Sequence, residues 1–384
     1  MQITGCEVFM VELPSRREHT WASKMTTPIG HHAIVRVDTD EGISGWGEAP
    51  AIATWGGSSM RYYGETPETV RHIVCDYLIP RLTGADPMHI GPAHLLMDEV
   101  VKGHPYAKAA IDVALHDISG RALNVPVYVL LGGAQRDRIQ IAHSLGIMDI
   151  DRCIEEAEQA VAEGATTIKC KTGLDAQRDL DLVHRLRDKV GSEVAIRVDA
   201  NEGYKTVTEA VAVGRAHEPD DIFVYEQPVA GARALAQVAA RVATPVMADE
   251  SAWTAEDIVD LAELGAAECF SCYVTKPGGL YRARRQAEIA ATLGLYCDIG
   301  GSIEMGIGNA ANLHLGAALG NAILPSVCPV TKPLGRPGPE VAGIYYTDDI
   351  VCDSFGFADG CVLVPQGPGL GVEVDQEKLA HYAR

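Results

Sequence analysis

Two periodicities divide the chain. Residues 33–39, Ala-Ile-Val-Arg-Val-Asp-Thr, alternate in polarity, run into Asp40-Glu41-Gly42 and resume as Ser44-Gly45-Trp46-Gly47-Glu48, which predicts two strands joined as a β-hairpin. The period then lengthens to that of a helix. Thr66-Pro67-Glu68 opens one helix with Val70, Ile73, Val74 and Tyr77 as its apolar face. Residues 107–123 make another, with Ala110, Ala114, Leu115 and Ile118 inward. Up to about Gly133 the chain therefore reads as an α+β block.

Beyond it, short runs rich in Val and Ile alternate with Ala-rich amphipathic segments. The runs are 139–145, 167–171, 194–199, 222–226, 245–249, 269–276, 295–299 and 322–327. The polar residues that close them, from Lys171 through Asp199, Glu226, Asp249 and Lys276 to Glu304, recur at spacings of 28, 27, 23, 27 and 28 residues. That step is the length of a βα unit. Eight such units with short loops predict an α/β fold, a (β/α)8 barrel, with a doubly wound open sheet as the alternative that periodicity alone leaves open. The expected divisions are a capping domain at 1–133, the barrel at 134–330 and a C-terminal segment at 331–384. That segment carries a strand-like 360–365 and is expected to return to the cap.

Composition narrows the function. Hydrophobic residues at 47% and charged residues at 22% are those of an ordinary globular protein. A net charge of −20 repels phosphate backbones and anionic headgroups, so nucleic acid and membranes are poor partners. No stretch reads as a secretory signal or a bilayer span, and ten cysteines without even spacing read as reduced small hydrophobes, which makes the cytoplasm the expected compartment. The expected partners are a small molecule and further copies of the chain.

Barrel enzymes gather their chemistry where the C-terminal strand ends converge. Here those ends are charged. Asp199, Glu226 and Asp249 close three successive runs, and three carboxylates so placed would repel one another unless a cation sat among them. All-oxygen donors suit Mg²⁺ better than Zn²⁺. Lys169 and Lys171, two apart on one strand, share its inner face, and each ammonium is expected to depress the other's pKa, the route by which a lysine becomes a base. Lys276 arrives from the sixth run, across the barrel, with Glu250 as its expected ion-pair partner.

The ordered set Lys169-x-Lys171, Asp199-x-Asn201, Glu226-Gln227-Pro228, Asp249-Glu250-Ser251, Lys276-Pro277-Gly278-Gly279 and Gly301-Ser302-Ile303-Glu304-x-Gly306 resembles the enolase superfamily, specifically its muconate-lactonizing subgroup. Residues 106–133 and Gly367-Pro368-Gly369-Leu370-Gly371 extend the likeness over nearly the whole chain. The resemblance implies that Asp199, Glu226 and Asp249 bind Mg²⁺, with Mn²⁺ as a possible substitute. It also implies that Lys171 and Lys276 are the acid/base pair, that Lys169 assists Lys171, and that Glu304, ending the eighth strand, neighbours the substrate carboxylate. The seventh run has no His, unlike the mandelate-racemase branch, and Ser326-Val327-Cys328-Pro329 stands where dipeptide epimerases carry Asp-x-Asp. In such proteins a lid formed by cap loops covers the site. Residues 14–30, with His19, Trp21, Lys24 and Met25, should form it, beside a second loop with Trp55, Arg61 and Tyr62. Asn201, Trp21, Trp55, Asp298 and Glu304 are the candidate substrate contacts.

The expected reaction is Mg²⁺-dependent removal of a proton α to a carboxylate through an enediolate, as an isomerase: a cycloisomerase, or a racemase or epimerase of an amino-acid derivative. Residues 102–108 resemble those of hydroxyproline dehydratases, which makes a dehydratase the runner-up. A pyridoxal phosphate barrel, with Lys276 as the aldimine lysine and Gly300-Gly301 as phosphate cradle, is the rival from another chemistry.

Overall fold

The computed structural model describes residues 1–22, 29–58, 62 and 64–384; Lys24, Met25 and Arg61 lie outside them. Three antiparallel strands, β1 (Ile3–Glu12), β2 (His31–Thr39) and β3 (Ser44–Ala49), open the cap in that order. The hairpin forms as the alternation predicts, with Asp38 opposite Ser44. Helix Pro105–Leu123 lies directly on β3, because small residues meet small residues there. A Cβ on Gly47 would stand 1.8 Å from the Ala110 carbonyl oxygen, and one on Gly45 2.3 Å from that of Ala114. Nearly every side chain of this helix is buried, so it is the central beam between cap and barrel.

Helix Pro67–Ile73 starts where expected, Thr66 Oγ1 accepting from Thr69 N–H at 3.2 Å. Its apolar face differs from the expectation in one residue. A wide turn over Val74–Leu78, closed by Ile79 N–H to Val74 O, inserts an extra residue; Leu78 is buried in consequence and Tyr77 is turned out to solvent.

Seven parallel strands curl side by side: β5 (His143–Leu145), β6 (Thr167–Lys171), β7 (Ala195–Asp199), β8 (Val224–Glu226), β9 (Val246–Ala248), β10 (Cys269–Cys272) and β11 (Tyr296–Ile299). β4 (Arg138–Gln140) precedes them and pairs elsewhere. The eighth position departs from the expected eight regular units. Residues 322–327 close the ring only through single bridges, Ala322 to Cys297 and Ser326 to Ile141, and no barrel helix follows among the described residues. Pro325 within this segment and Pro329 just after it deny it a full ladder. The tail then adds β12 (Phe357–Ala358) and β13 (Cys361–Leu363), of which β13 pairs with β4. The chain ends against the cap, Ala383 bridging Val11 and Arg384 N–H donating to Met10 O at 2.9 Å.

Candidate active site

The parallel register places the charged strand ends side by side. Lys171 pairs with Asp199, and Asp199 with Glu226. Because strand side chains alternate, Lys169, Lys171, Arg197, Asp199 and Glu226 all point into the barrel, while Cys170, Val198 and Tyr225 point to the helices. Asp249 follows β9, and Gln227 ties it to β8 by accepting from Asp249 N–H at 2.8 Å and Ser251 N–H at 3.1 Å. Asp199, Glu226 and Asp249 each bring a carboxylate oxygen within 4.8 Å of the others, all buried.

Cations surround this acidic group. Lys169 Nζ lies 2.8 Å from both Asp199 Oδ2 and Glu226 Oε2, and Lys171 Nζ donates to Asp199 Oδ2 at 2.6 Å and to Asn201 Oδ1 at 2.9 Å. Lys276 Nζ donates to Asp249 Oδ1 and, at 2.8 Å, to the Asp249 carbonyl oxygen. Burial favours a neutral Lys169, but Asp199 and Glu226 outweigh it and hold its pKa above the usual lysine range. The expected mutual depression of the two lysines is therefore not what governs Lys169: two carboxylates touch it. Burial likewise raises Asp199 and Glu226, yet Lys169 with Lys171 lowers the first, and Arg197 lowers the second. Asp249 goes the other way. Burial pushes its pKa up despite Lys276.

A hard divalent cation fits this donor set. The donors are oxygens, they converge, and Asp249 still wants positive charge. Next to it Glu250 Oε2 is buried without a hydrogen-bond partner among the described residues, and burial and Asp249 push the Glu250 carboxyl well above the ordinary range. Glu250 is not the partner of Lys276; the shorter Asp249 holds that ammonium, and Glu250 turns to accept from Asn201 Nδ2 at 3.0 Å.

The cavity above the carboxylates is lined by Lys169, Lys171, Asn201 and Asp249 on the barrel side and by His19, Trp21, Ile52 and Trp55 from the cap. β6 and β10 stand four positions apart in a ring of eight, so Lys171 and Lys276 approach from opposite sides. Each has an aromatic neighbour: Lys171 Nζ lies 5.8 Å from the centre of Trp21, and Lys276 Nζ 5.9 Å from Trp55 and 4.0 Å from Tyr273. His19 is held far below its usual pKa by burial and Arg17; Arg17 donates to its Nδ1 at 3.0 Å, so the neutral ring carries its hydrogen on Nε2.

Two expected substrate contacts sit elsewhere. Asp298 is buried beneath the carboxylates, accepting from Arg197 Nη1 at 2.6 Å, because it lies on the inner face of β11 level with Ser271 rather than at the strand's end. Glu304 follows the seventh strand, not the eighth. It stands behind the wall formed by Gly301, Ser302 and Ile303, with Oε1 accepting from Ser302 N–H at 3.1 Å and its pKa raised to about 8 by burial and Glu48. Tyr273, Tyr345, Ser144 and Ile303 line the cavity without having been singled out from the sequence. Ser144 was legible, since it pairs with Lys169 on the neighbouring strand; Tyr345 was not, because it comes from the irregular tail.

Residues 6–132 match the mandelate racemase/muconate lactonizing enzyme N-terminal domain, and residues 152–378 match the enolase C-terminal domain-like family. The chain belongs to the mandelate racemase/muconate lactonizing enzyme family. Within it, the chain is 31% identical to N-succinyl-L-Arg/Lys racemase of Bacillus cereus over 383 residues, 99% of this chain and 97% of that protein. It is 33% identical to muconate cycloisomerase 1 of Rhodococcus opacus over 393 residues, covering 100% and 99%. The crystal structure of the Bacillus racemase superposes with a TM-score of 0.89 at 29% identity, covering 100% of this chain and 98% of the other. That of 2-chloromuconate cycloisomerase from Rhodococcus opacus gives 0.88 at 33%, covering all of both. These family members are isomerases, so the dehydratase reading draws no support from them. The pyridoxal reading leaves the three convergent carboxylates without a role. No described helix is long and apolar enough to cross a membrane.

Proposed function

We propose that this protein is an isomerase that moves the proton α to the carboxylate of a small substrate from one face to the other, as a racemase or epimerase of an amino-acid derivative. The observation that carries the reading is the pair Lys171 and Lys276, which come from strands four positions apart: Lys171 lines the cavity, and Lys276 Nζ stands behind its lining residues Asp249 and Tyr273. One lysine in its free-amine form takes the proton at Nζ while the other, as the ammonium, gives one to the opposite face; the roles exchange for the mirror-image substrate. Asn201 fixes Lys171 Nζ, and the Asp249 carbonyl fixes Lys276 Nζ. Lys169 stays charged between Asp199 and Glu226. Trp21 and Trp55 dry the cavity from the cap side, which strengthens every charge inside it, and neutral His19 offers an N–H to a polar group on the substrate. Mg²⁺, or Mn²⁺ in its place, would be held by Asp199, Glu226 and Asp249 and would supply the positive charge that makes the proton next to a carboxylate acidic enough for an amine.

The test is incubation with Mg²⁺ in D2O and a panel of N-acylated, N-methylated and cyclic amino acids, with α-deuterium read by mass spectrometry. Lys171→Ala and Lys276→Ala should each abolish racemisation while each retains exchange with one enantiomer, opposite in the two variants. Retention of the same enantiomer in both variants would overturn the two-base reading. Cycloisomerisation is a second reading, favoured by the end-to-end likeness to muconate cycloisomerase 1. In that case muconates are consumed without racemisation of the amino-acid panel, and only one of the two lysines is indispensable.

A further inference from the structure

Most barrel helices carry their own caps. Asp149, Asp175, Thr206 and Thr254 each accept from a backbone N–H in the first turn of the helix they precede. The helix after Lys276 does not. Its N-cap is Gly279, which has no side chain. The turn leading into it is tight: Gly278 N–H donates to Thr275 O at 3.1 Å, and Gly279 N–H to Val274 O at 2.8 Å.

The missing cap is imported from the cap domain. Asp112, in helix Pro105–Leu123, accepts from Leu280 N–H at 2.6 Å and from Tyr281 N–H at 3.4 Å. It is fully buried and gripped on both sides, His94 Nε2 standing 2.7 Å from Oδ2 and His116 Nδ1 3.2 Å from Oδ1. His94 also stacks on Tyr281, with ring centroids 5.3 Å apart. Burial opposes ionisation of Asp112 and protonation of His116, yet each charge outweighs that for the other: Asp112 is held well below the usual range and His116 above it. Nothing larger than glycine fits between turn and carboxylate, because a Cβ on Gly279, at φ 125°, would stand 2.3 Å from Asp112 Cβ.

A local Ser or Asp would stabilise this helix as well as Asp112 does. A cap brought from 168 residues away adds something a local one cannot, namely a fixed position of the Lys276 turn relative to the cap that supplies Trp55. We infer that Asp112, clamped by His94 and His116, is a positioning residue for Lys276, holding the turn Pro277-Gly278-Gly279 so that Nζ meets its face of the substrate. This rests on the two-base reading above.

The experiment is Asp112→Asn, which keeps the shape and removes the charge, with Gly279→Ala disturbing the same contact from the other side. Exchange of the α-proton in D2O is measured for each enantiomer of a racemised substrate, and Asp112→Asn is crystallised. Exchange of the enantiomer served by Lys276 should fall by about a hundredfold, and exchange of the one served by Lys171 by no more than about threefold, since a misplacement of about 1 Å is worth that much at the reacting centre. Lys276 Nζ should also be displaced from Asp249 in the crystal structure. Equal loss from both enantiomers, or an unmoved Lys276, would make Asp112 a structural tie and overturn the inference. A wild-type enzyme that exchanges neither enantiomer removes the two-base reading alone; the position of Lys276 in the variant still decides the role of Asp112.

Discussion

Arg197 shows what one residue can do beneath a site. It is buried, with Nε 2.7 Å from Glu226 Oε2 and Nη1 2.6 Å from Asp298 Oδ2, so it joins one of the convergent carboxylates to a second acid below it. Arg197→Met would leave buried Asp298 without its cation and Glu226 with Lys169 alone. Removing one partner of such a pair costs about 3–5 kcal/mol. The expected outcome is a lower melting temperature together with weaker Mg²⁺ affinity by calorimetry; unchanged affinity would mean that Lys169 alone orients Glu226. Glu226→Gln is the complementary change, keeping the shape and removing ligand charge. It should leave the circular dichroism spectrum intact and lower turnover by about a hundredfold or more. The carboxylates were legible because each ends an apolar run at a regular interval. Arg197 was legible in principle, two residues before Asp199 and so on the same face, but a cation inside a strand gives no signal of whether it faces solvent or acid. Asp298 was misread for the same reason: sequence shows which face a strand residue occupies and not its depth in the barrel.

Helix Gly306–Ala318 carries the same lesson at the scale of an element. It begins just after Glu304, and its N-terminal N–H groups are satisfied from two distant places. Glu48 of β3 accepts from Met305 and Gly308, at 2.7 and 2.6 Å, and Asp349 of the tail accepts from Gly306 at 3.0 Å. No local pattern announces such caps, whereas the Thr254 and Asp257 capping box of helix Ala255–Leu264 can be read directly from sequence. Burial and the neighbouring Glu48 raise the Asp349 carboxyl to about 7. In the unfolded chain it ionises near 4, so between those values the folded state holds a proton that the unfolded state has released. Stability from this group is therefore highest below pH 4, falls by up to about 1.4 kcal/mol per pH unit as the pH rises, and levels off above 7. Asp349→Asn cannot titrate. Its melting temperature, compared with that of the wild type between pH 4.5 and 8, should decline less steeply, and parallel curves would show that Asp349 is already ionised in the folded protein.

Across the whole molecule, the 27-residue rhythm predicted the barrel because each βα unit must bury one strand and one helix face, a constraint that every unit repeats. The closing segment 322–327 and the tail escape that rule, being held by single bridges and distant side chains rather than by periodic burial. Those same distant ties predict how the molecule unfolds. One apolar cluster runs through Val11, Leu13 and Trp21 of the cap, Ile168 and Ile196 of the barrel, and Val362 and Leu379 of the tail. Asp112 and Glu48 pin barrel helices from the cap, so the two parts cannot separate without stranding buried carboxylates in the cap and helix N–H groups in the barrel. Tryptophan fluorescence, which reports mostly on the cap through Trp21, Trp46 and Trp55, should therefore melt with far-ultraviolet circular dichroism, which reports mostly on the barrel helices, in one shared transition. A cation held only in the folded site would raise that transition as a whole, by about 2.7 kcal/mol when Mg²⁺ is present at about 100 times its dissociation constant, and EDTA should reverse the shift. Two separated transitions, with only the barrel signal moving on addition of Mg²⁺, would mean that the cap is an independent lid whose contacts with the barrel are too weak to couple their stabilities.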